Sequence, residues 1–168
     1  MAVRDIVRYP DEVLRVPARK VVRVDETIHA LVRDMAETMY AAPGVGLAAP
    51  QVGESLRVIV IDVTPSEESE KNLISLVNPE LVGAEGEVES KEGCLSVVDV
   101  TCDIKRHARV RVRGLSVEGE LVELDAEGLL AITLQHELDH LNGMLIFDRL
   151  SGLKRDLLKR KLRKRTEG

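Results

Sequence analysis

Tryptophan is absent from this chain of 168 residues, and its aromatic content is two tyrosines and one phenylalanine. Any core it builds must therefore be aliphatic. Cysteine is scarce too: Cys94 and Cys102 are too few for a disulfide scaffold, and a reducing compartment would leave them unbridged. No long apolar run occurs. The opening residues, Met1 to Arg8, carry no signal-peptide core, and no segment has the length and hydrophobicity of a membrane span. The expectation is a cytoplasmic protein with no membrane association. No internal repeat and no linker-like stretch divides the chain, so one domain over residues 1–168 is expected.

What is present is ordinary for a globular protein, with 44% hydrophobic and 32% charged residues. The charge is uneven. Residues 151–168 carry eight basic and two acidic groups, which leaves the tail at +6 and the rest at −11 within a formal total of −5. A basic helix over 150–168 on an acidic body could touch RNA or another anionic surface; the alternative is a solvated helix end.

Hydrophobic spacing organises the middle of the chain. Ile28, Leu31, Val32, Met35 and Met39 follow helical periodicity from a cap at Asp25, and Ala42-Pro43-Gly44 should end that helix. Gly44 to Gly53 reads as a loop of small residues. Leu56 to Val63 reads as a buried strand, Thr64 to Asn72 as an exposed acidic loop and Leu73 to Val77 as a short strand. Gly83 to Gly93 has no clear signature. Ala108 to Leu115 and Glu120 to Leu124 read as strands joined by a turn at Glu118-Gly119. A mostly apolar helix follows Asp125 and stops near Asn142-Gly143, and a last helix starts near Ser151. Strands flanked by helices predict an α+β fold: antiparallel or mixed sheets around a central buried helix, plus a C-terminal helix.

That central helix carries the most specific signal, His136-Glu137-Leu138-Asp139-His140. Two histidines four apart are separated by about 40° of rotation and about 6 Å of rise, so both rings share one face. Such a pair can grip a divalent metal, and Glu137 beside it can take a proton from water without ligating the ion. Chance produces the pattern too, and the bland alternatives are a hydrogen-bonded core pair or a solvent-facing end of the helix. Burying these polar groups unpaired would be costly. A catalytic metal needs a third protein ligand. Downstream of His140 only Asp148, Asp156 and Glu167 are available. Upstream, Glu92-Gly93-Cys94-Leu95-Ser96 puts a cysteine in a glycine turn, where it is either a metal-bound thiolate or a small buried hydrophobe. Cys102 has no companion motif and reads as structural.

Three segments together resemble a known family: Gly44-Val45-Gly46-Leu47-Ala48-Ala49-Pro50-Gln51, Glu92-Gly93-Cys94-Leu95-Ser96, and Gln135-His136-Glu137-Leu138-Asp139-His140. In this order they resemble the three motifs of the peptide deformylases, metal-dependent hydrolases that remove the N-formyl group from new bacterial and organellar proteins. The resemblance implies that Cys94, His136 and His140 hold the metal and that Glu137 is general base and acid. It implies that Gln51 and the backbone N–H of Leu95 stabilise the oxyanion. By the same likeness Gly46 lies along the bound peptide, and Val45, Leu129, Ile132 and Thr133 line the methionine pocket. It further implies Fe2+ in the cell, with Zn2+, Ni2+ or Co2+ able to occupy the site, a monomer, and docking of the basic tail near the ribosomal exit tunnel. Val97 to Thr101 departs from the family pattern, where a proline is common. Two other readings compete: a metallopeptidase using the same histidine motif with a different third ligand, and a metal-free relative that only visits the ribosome.

Overall fold

The spacing of Ile28, Leu31, Val32, Met35 and Met39 produces the helix it predicts, α1 (Glu26–Ala41), and all five side chains are buried. The Asp25 carboxylate accepts from the Ile28 backbone N–H at 3.3 Å, satisfying a donor that a helix start leaves unpaired. The helix gives out at Ala42, the residue before Pro43, where α-geometry is disfavoured. The computed structural model describes residues 2–64 and 72–167. Most of the expected acidic loop, residues 65–71, lies outside the described residues.

The described strands form two antiparallel sheets. The larger contains β1 (Gly46–Ala48), β2 (Val58–Ile61), β3 (Ile74–Glu85), β6 (Arg109–Leu115) and β7 (Leu121–Glu127), in the order β1-β2-β3-β6-β7. The smaller is a hairpin of β4 (Val88–Cys94) and β5 (Val97–Arg106). Among the described residues, parallel pairing is confined to one isolated bridge, Arg19 to Leu56. With α1, α2 (Gly128–Leu141) and α3 (Gly152–Glu167), the architecture is α+β.

β2 shows why its sequence is an unbroken apolar run. Val58, Ile59, Val60 and Ile61 are all at most 1% exposed. Val58 and Val60 belong to the cluster built on α1, while Ile59 and Ile61 pack with Ala131, Leu134 and Leu141 of α2. A strand covered on both faces needs no polar alternation. Each such side chain contributes roughly 1.5–3 kcal/mol by leaving water. A third cluster joins β5 to the chain beyond α2 around Phe147, which is fully buried.

The structure corrects four boundaries. The small-residue segment is not all loop: Gly46–Ala48 pairs with β2 as an edge strand, and Ala49–Val52 forms a single tight turn of helix. The strand expected over Leu73 to Val77 runs on to Glu85 through Pro79, because the register shifts there and a bulge accommodates the missing N–H. Residues 83–93, unassigned from sequence, finish β3 and form most of β4. The central helix starts at Gly128 rather than after Asp125. β7 stays paired with β6 as far as Glu127, Asp125 accepts from Arg111 at 2.7 Å, and Gly128 at φ 63 makes the switch from strand to helix.

The N-terminal segment straps the end of α2. Ala18 N–H donates to the Leu141 carbonyl at 2.8 Å. Gly143, at φ 76, ends the helix where a Cβ would stand 2.5 Å from the Arg15 carbonyl oxygen. The Arg15 guanidinium grips Asp148 through contacts of 2.5 and 3.1 Å. Burial alone would push the Asp148 carboxyl up. The hydrogen bonds from Arg15 and from the Leu145 N–H outweigh burial and hold it below the usual carboxylate value.

Two outcomes follow for stability. Gly143→Ala combines a left-handed backbone with a backbone clash and should cost at least about 2 kcal/mol, read as a Tm lowered by about 4–8 °C. Asp148→Asn should cost about 1–2 kcal/mol at pH 7 in urea denaturation. A carboxyl whose folded pKa is depressed stabilises the protein above its unfolded value of about 3.9, and that contribution disappears as pH falls through the folded value. The gap between wild type and Asp148→Asn should therefore close between about pH 5 and pH 2.

Candidate metal centre and active-site cleft

One turn of α2 brings the two histidines together, with their Nε2 atoms 3.2 Å apart. The β4–β5 hairpin delivers the third donor from the other side. Cys94 ends β4, and its Sγ lies 3.4 Å from His140 Nε2. All three donor atoms fall within 4.8 Å of one another. A tetrahedral ion with ordinary metal–nitrogen and metal–sulfur bonds has an N–N edge of about 3.3 Å and an S–N edge of about 3.6 Å. The His136–His140 and Cys94–His140 spacings match these edges, and the donor set suits a divalent metal in chemistry. The rival third ligands fare worse: Asp148 is committed to Arg15, and the donor group contains neither it nor Asp156.

The surroundings fix the ligands in place. His136 Nδ1 lies 3.0 Å from Glu92 Oε1, which orients the ring and turns Nε2 towards Cys94 and His140. Glu92 is gripped bidentately by Arg106 at 2.7 and 2.8 Å. The same guanidinium reaches Asp139 of α2 at 2.7 Å, and Arg149 closes the chain with contacts of 2.6 and 3.1 Å to Asp139. Glu92, Arg106 and Asp139 are all below 9% exposed. Burial would push Glu92 up, but its hydrogen bonds to Arg106 and His136 bring it down to about 2. Burial pulls His136 down, yet the charge of Glu137 and its contacts with Cys94 and Glu92 raise it well above the usual histidine value. This spot therefore favours positive charge. Burial, then the charge of His136, pushes His140 well below its usual value, which leaves that ring neutral, as a metal ligand must be.

Glu137 sits 3% exposed, and its Oε1 has no hydrogen-bond partner among the described residues. Burial pushes the carboxyl up to about 7, partly opposed by the nearby His136 charge. Gly46 on β1 packs directly against it: a Cβ there would lie 2.5 Å from Glu137 Oε2 and 2.8 Å from the Thr133 methyl. Gln51 is 2% exposed. Its oxygen accepts from Ala48 N–H at 3.0 Å, which turns its NH2 towards Ser96 Oγ at 3.1 Å and Cys94 Sγ at 3.9 Å. The Ser96 backbone N–H points at the same sulfur, at 3.4 Å.

These groups open into a cleft of about 500 Å3. Its lining includes every residue expected there from the sequence: Val45, Gly46, Gln51, Leu95, Leu129, Ile132, Thr133 and Glu137, together with Cys94 and His136. Val45 and Leu129 are 43% and 53% exposed, so they form the mouth rather than the floor. A larger cavity of about 610 Å3 lies elsewhere, lined by Arg57, Arg106, Gln135, Asp139 and Arg149; its lining includes none of the three metal donors. The sequence reading missed Arg106 and Arg149 as supports of the site. The only hint was the cost of burying Glu92, Asp139 and His136 without partners.

The model of the Polypeptide deformylase family matches residues 3–156. The peptide deformylase of Syntrophobacter fumaroxidans is 51% identical over 165 residues, covering 98% of this chain and 96% of that protein. That of Aquifex aeolicus is 47% identical and covers 96% of both. Among solved structures, a peptide deformylase from Legionella pneumophila superposes with a TM-score of 0.89 at 47% identity, covering 98% of this chain and 96% of that one. The Ehrlichia chaffeensis peptide deformylase in complex with actinonin gives 0.90 at 40% identity, with 98% of both chains covered. Similarity of this extent, on a chain whose Cys94, His136 and His140 converge beside Glu137, leads to one conclusion: the chain belongs to the polypeptide deformylase family.

Proposed function

We propose that this protein hydrolyses the N-terminal formamide of formyl-methionyl nascent polypeptides, releasing formate. The observation that carries the reading is the convergence of three metal donors, two of them lining the cleft beside the buried Glu137 carboxylate. Cys94, His136 and His140 would hold one divalent ion: Fe2+ in the cell, with Zn2+, Ni2+ or Co2+ as substitutes, since thiolate and imidazole suit all four. When bound, such an ion activates water and polarises the formyl carbonyl.

The protein's own groups do the rest. Glu137 takes a proton from the attacking water and returns it to the departing amine. Its burial and its freedom from hydrogen bonds at Oε1 keep it available for that exchange. The Gln51 amide and the Leu95 backbone N–H donate to the oxygen on which negative charge develops. The orientation of Gln51 supports this role, because Ala48 occupies its acceptor end and leaves the donor end facing Cys94. Gly46 lets the peptide run against β1, which lies at the edge of the larger sheet. Val45, Leu129, Ile132 and Thr133 supply apolar walls for an unbranched thioether side chain.

Residues 1–168 act as one catalytic domain, with sheets arranged about the central helix that carries His136, Glu137 and His140. The protein works as a cytoplasmic monomer. The basic C-terminal helix, α3, meets ribosomal RNA phosphates near the exit tunnel; Lys154, Arg160, Lys161 and Lys164 are exposed along it. No helix among the described residues is long and apolar enough to cross a membrane.

Anaerobic turnover of a formyl-methionyl peptide tests the central claim. Wild type should release formate and lose activity on chelation. Glu137→Ala should keep its metal and lose about 10²–10⁴-fold in kcat. Cys94→Ser should lose metal by elemental analysis. Undiminished activity in Glu137→Ala, or full metal content in Cys94→Ser, would remove those assignments. Gly46→Ala is a geometric test: the added methyl must displace Glu137 or Thr133, and kcat/KM should fall by about 10²-fold with metal retained, as a misplacement near 1 Å does.

A further inference from the structure

We infer that Asp99 is a specificity-determining residue, placed to meet a positively charged side chain of the substrate peptide downstream of its methionine. The inference rests on the deformylase reading above. It begins with an interruption of the β4–β5 ladder. Cys94 pairs with Val97, but Gly93 pairs with Thr101, so Val98, Asp99 and Val100 bulge out beside the corner that carries Cys94. Bulges of this kind re-aim side chains next to active sites.

Asp99 is at φ 61, one of two non-glycine residues with a positive φ among those described. The other, Asn78 at φ 53, has an internal reason: its side chain holds Val21 through contacts of 2.8 and 2.9 Å. Asp99 has no such reason. It is exposed, and no hydrogen bond or ion pair engages its carboxylate among the described residues. Yet it lines the same cleft as Cys94, Gly46 and Glu137. A strained position with no structural partner, facing a binding site, points to use by the ligand.

The other charges in the lining decide the sign. Glu92 is tied up by Arg106, and Glu137 is buried. Lys91, on β4, is the exposed cation of the cleft and forms no ion pair with Asp99. Asp99 has the advantage over Lys91. Its short side chain on a fixed backbone gives up little freedom on binding, whereas the four-carbon stem of lysine gives up much more. The body of the protein, at −11 outside the tail, also draws cations towards the cleft.

The test compares formyl-Met-Ala peptides carrying lysine, norleucine or glutamate at the next positions. The readout is the ratio of kcat/KM between lysine and norleucine peptides, so a general loss of activity in a variant cancels. Wild type should favour lysine by about two- to five-fold at low salt, carried by KM, as a single exposed ion pair allows. The preference should vanish near about 0.5 M salt. Asp99→Asn keeps a residue that tolerates the left-handed backbone and should bring the ratio to about one. Should that variant not fold, the salt dependence in wild type carries the test. A wild-type ratio of one, a lysine preference that survives Asp99→Asn or high salt, or a preference for glutamate would overturn the proposal. Failure of every formylated peptide to turn over would instead remove the deformylase reading beneath it.

Discussion

A buried positive charge must be paired, and the rest of the site depends on how Arg106 meets that requirement. Its guanidinium, 4% exposed, lies between Glu92 on the hairpin and Asp139 on α2. Removing either partner would leave a charge stranded in the interior, which typically costs 3–5 kcal/mol. The pairing therefore locks the hairpin to α2, two elements that pack in different hydrophobic clusters. Cys94 sits at one end of the hairpin and the histidines on the helix, so the distance between sulfur and imidazole is set by an ion-pair bridge. Glu92 does two jobs in this scheme: it neutralises Arg106 and orients His136. His140, 1% exposed, lacks a comparable support, since its Nδ1 has no partner among the described residues.

The cleft is built by omission as much as by contact. Where Gly46 faces Glu137, any larger residue would occupy the space of the carboxylate. Gly44 is similarly confined, with Leu95 within 3.0 Å of where a side chain would begin. Small residues of the first motif thus bring the β1 backbone up to the helix. Fixed donors and a fixed carboxylate need little rearrangement when charge develops, which is how preorganised sites lower barriers.

The sequence made some of this legible for clear physical reasons. The stripe from Ile28 to Met39 has a single period, and Asp25 and Pro43 punctuate it, so α1 could be read almost to the residue. His136 and His140 are close in sequence, so their convergence follows from helix geometry alone. Cys94 is remote in sequence; spacing left it undecided, and only the motif order and then the coordinates joined it to the histidines. β3 runs past the short strand legible in the sequence because a bulge lets the ladder resume beyond Asn78-Pro79. The start of α2 was misjudged because Asp125 is a good cap by type, yet pairing of β7 with β6 claimed that residue first. Arg106 and Arg149 were signalled only indirectly, by the cost of burying the groups they pair with. An arginine in an alternating strand or a short turn looks like surface until the carboxylates it must neutralise are known.

The two-sided burial of β2 has a consequence for how the chain finds its fold. Val58 to Ile61 is apolar on both faces, so sliding the strand by one residue would exchange one greasy face for another at little cost in hydrophobic burial. Oil-like attraction cannot tell the correct alignment from its neighbours here. That choice falls to the hydrophilic fasteners at the margins, such as the clasp of the Asn78 amide on the Val21 backbone and the lattice of Arg57 with the Leu141 carbonyl. In this protein the interior supplies cohesion, and a few amides and a guanidinium at its border supply the address.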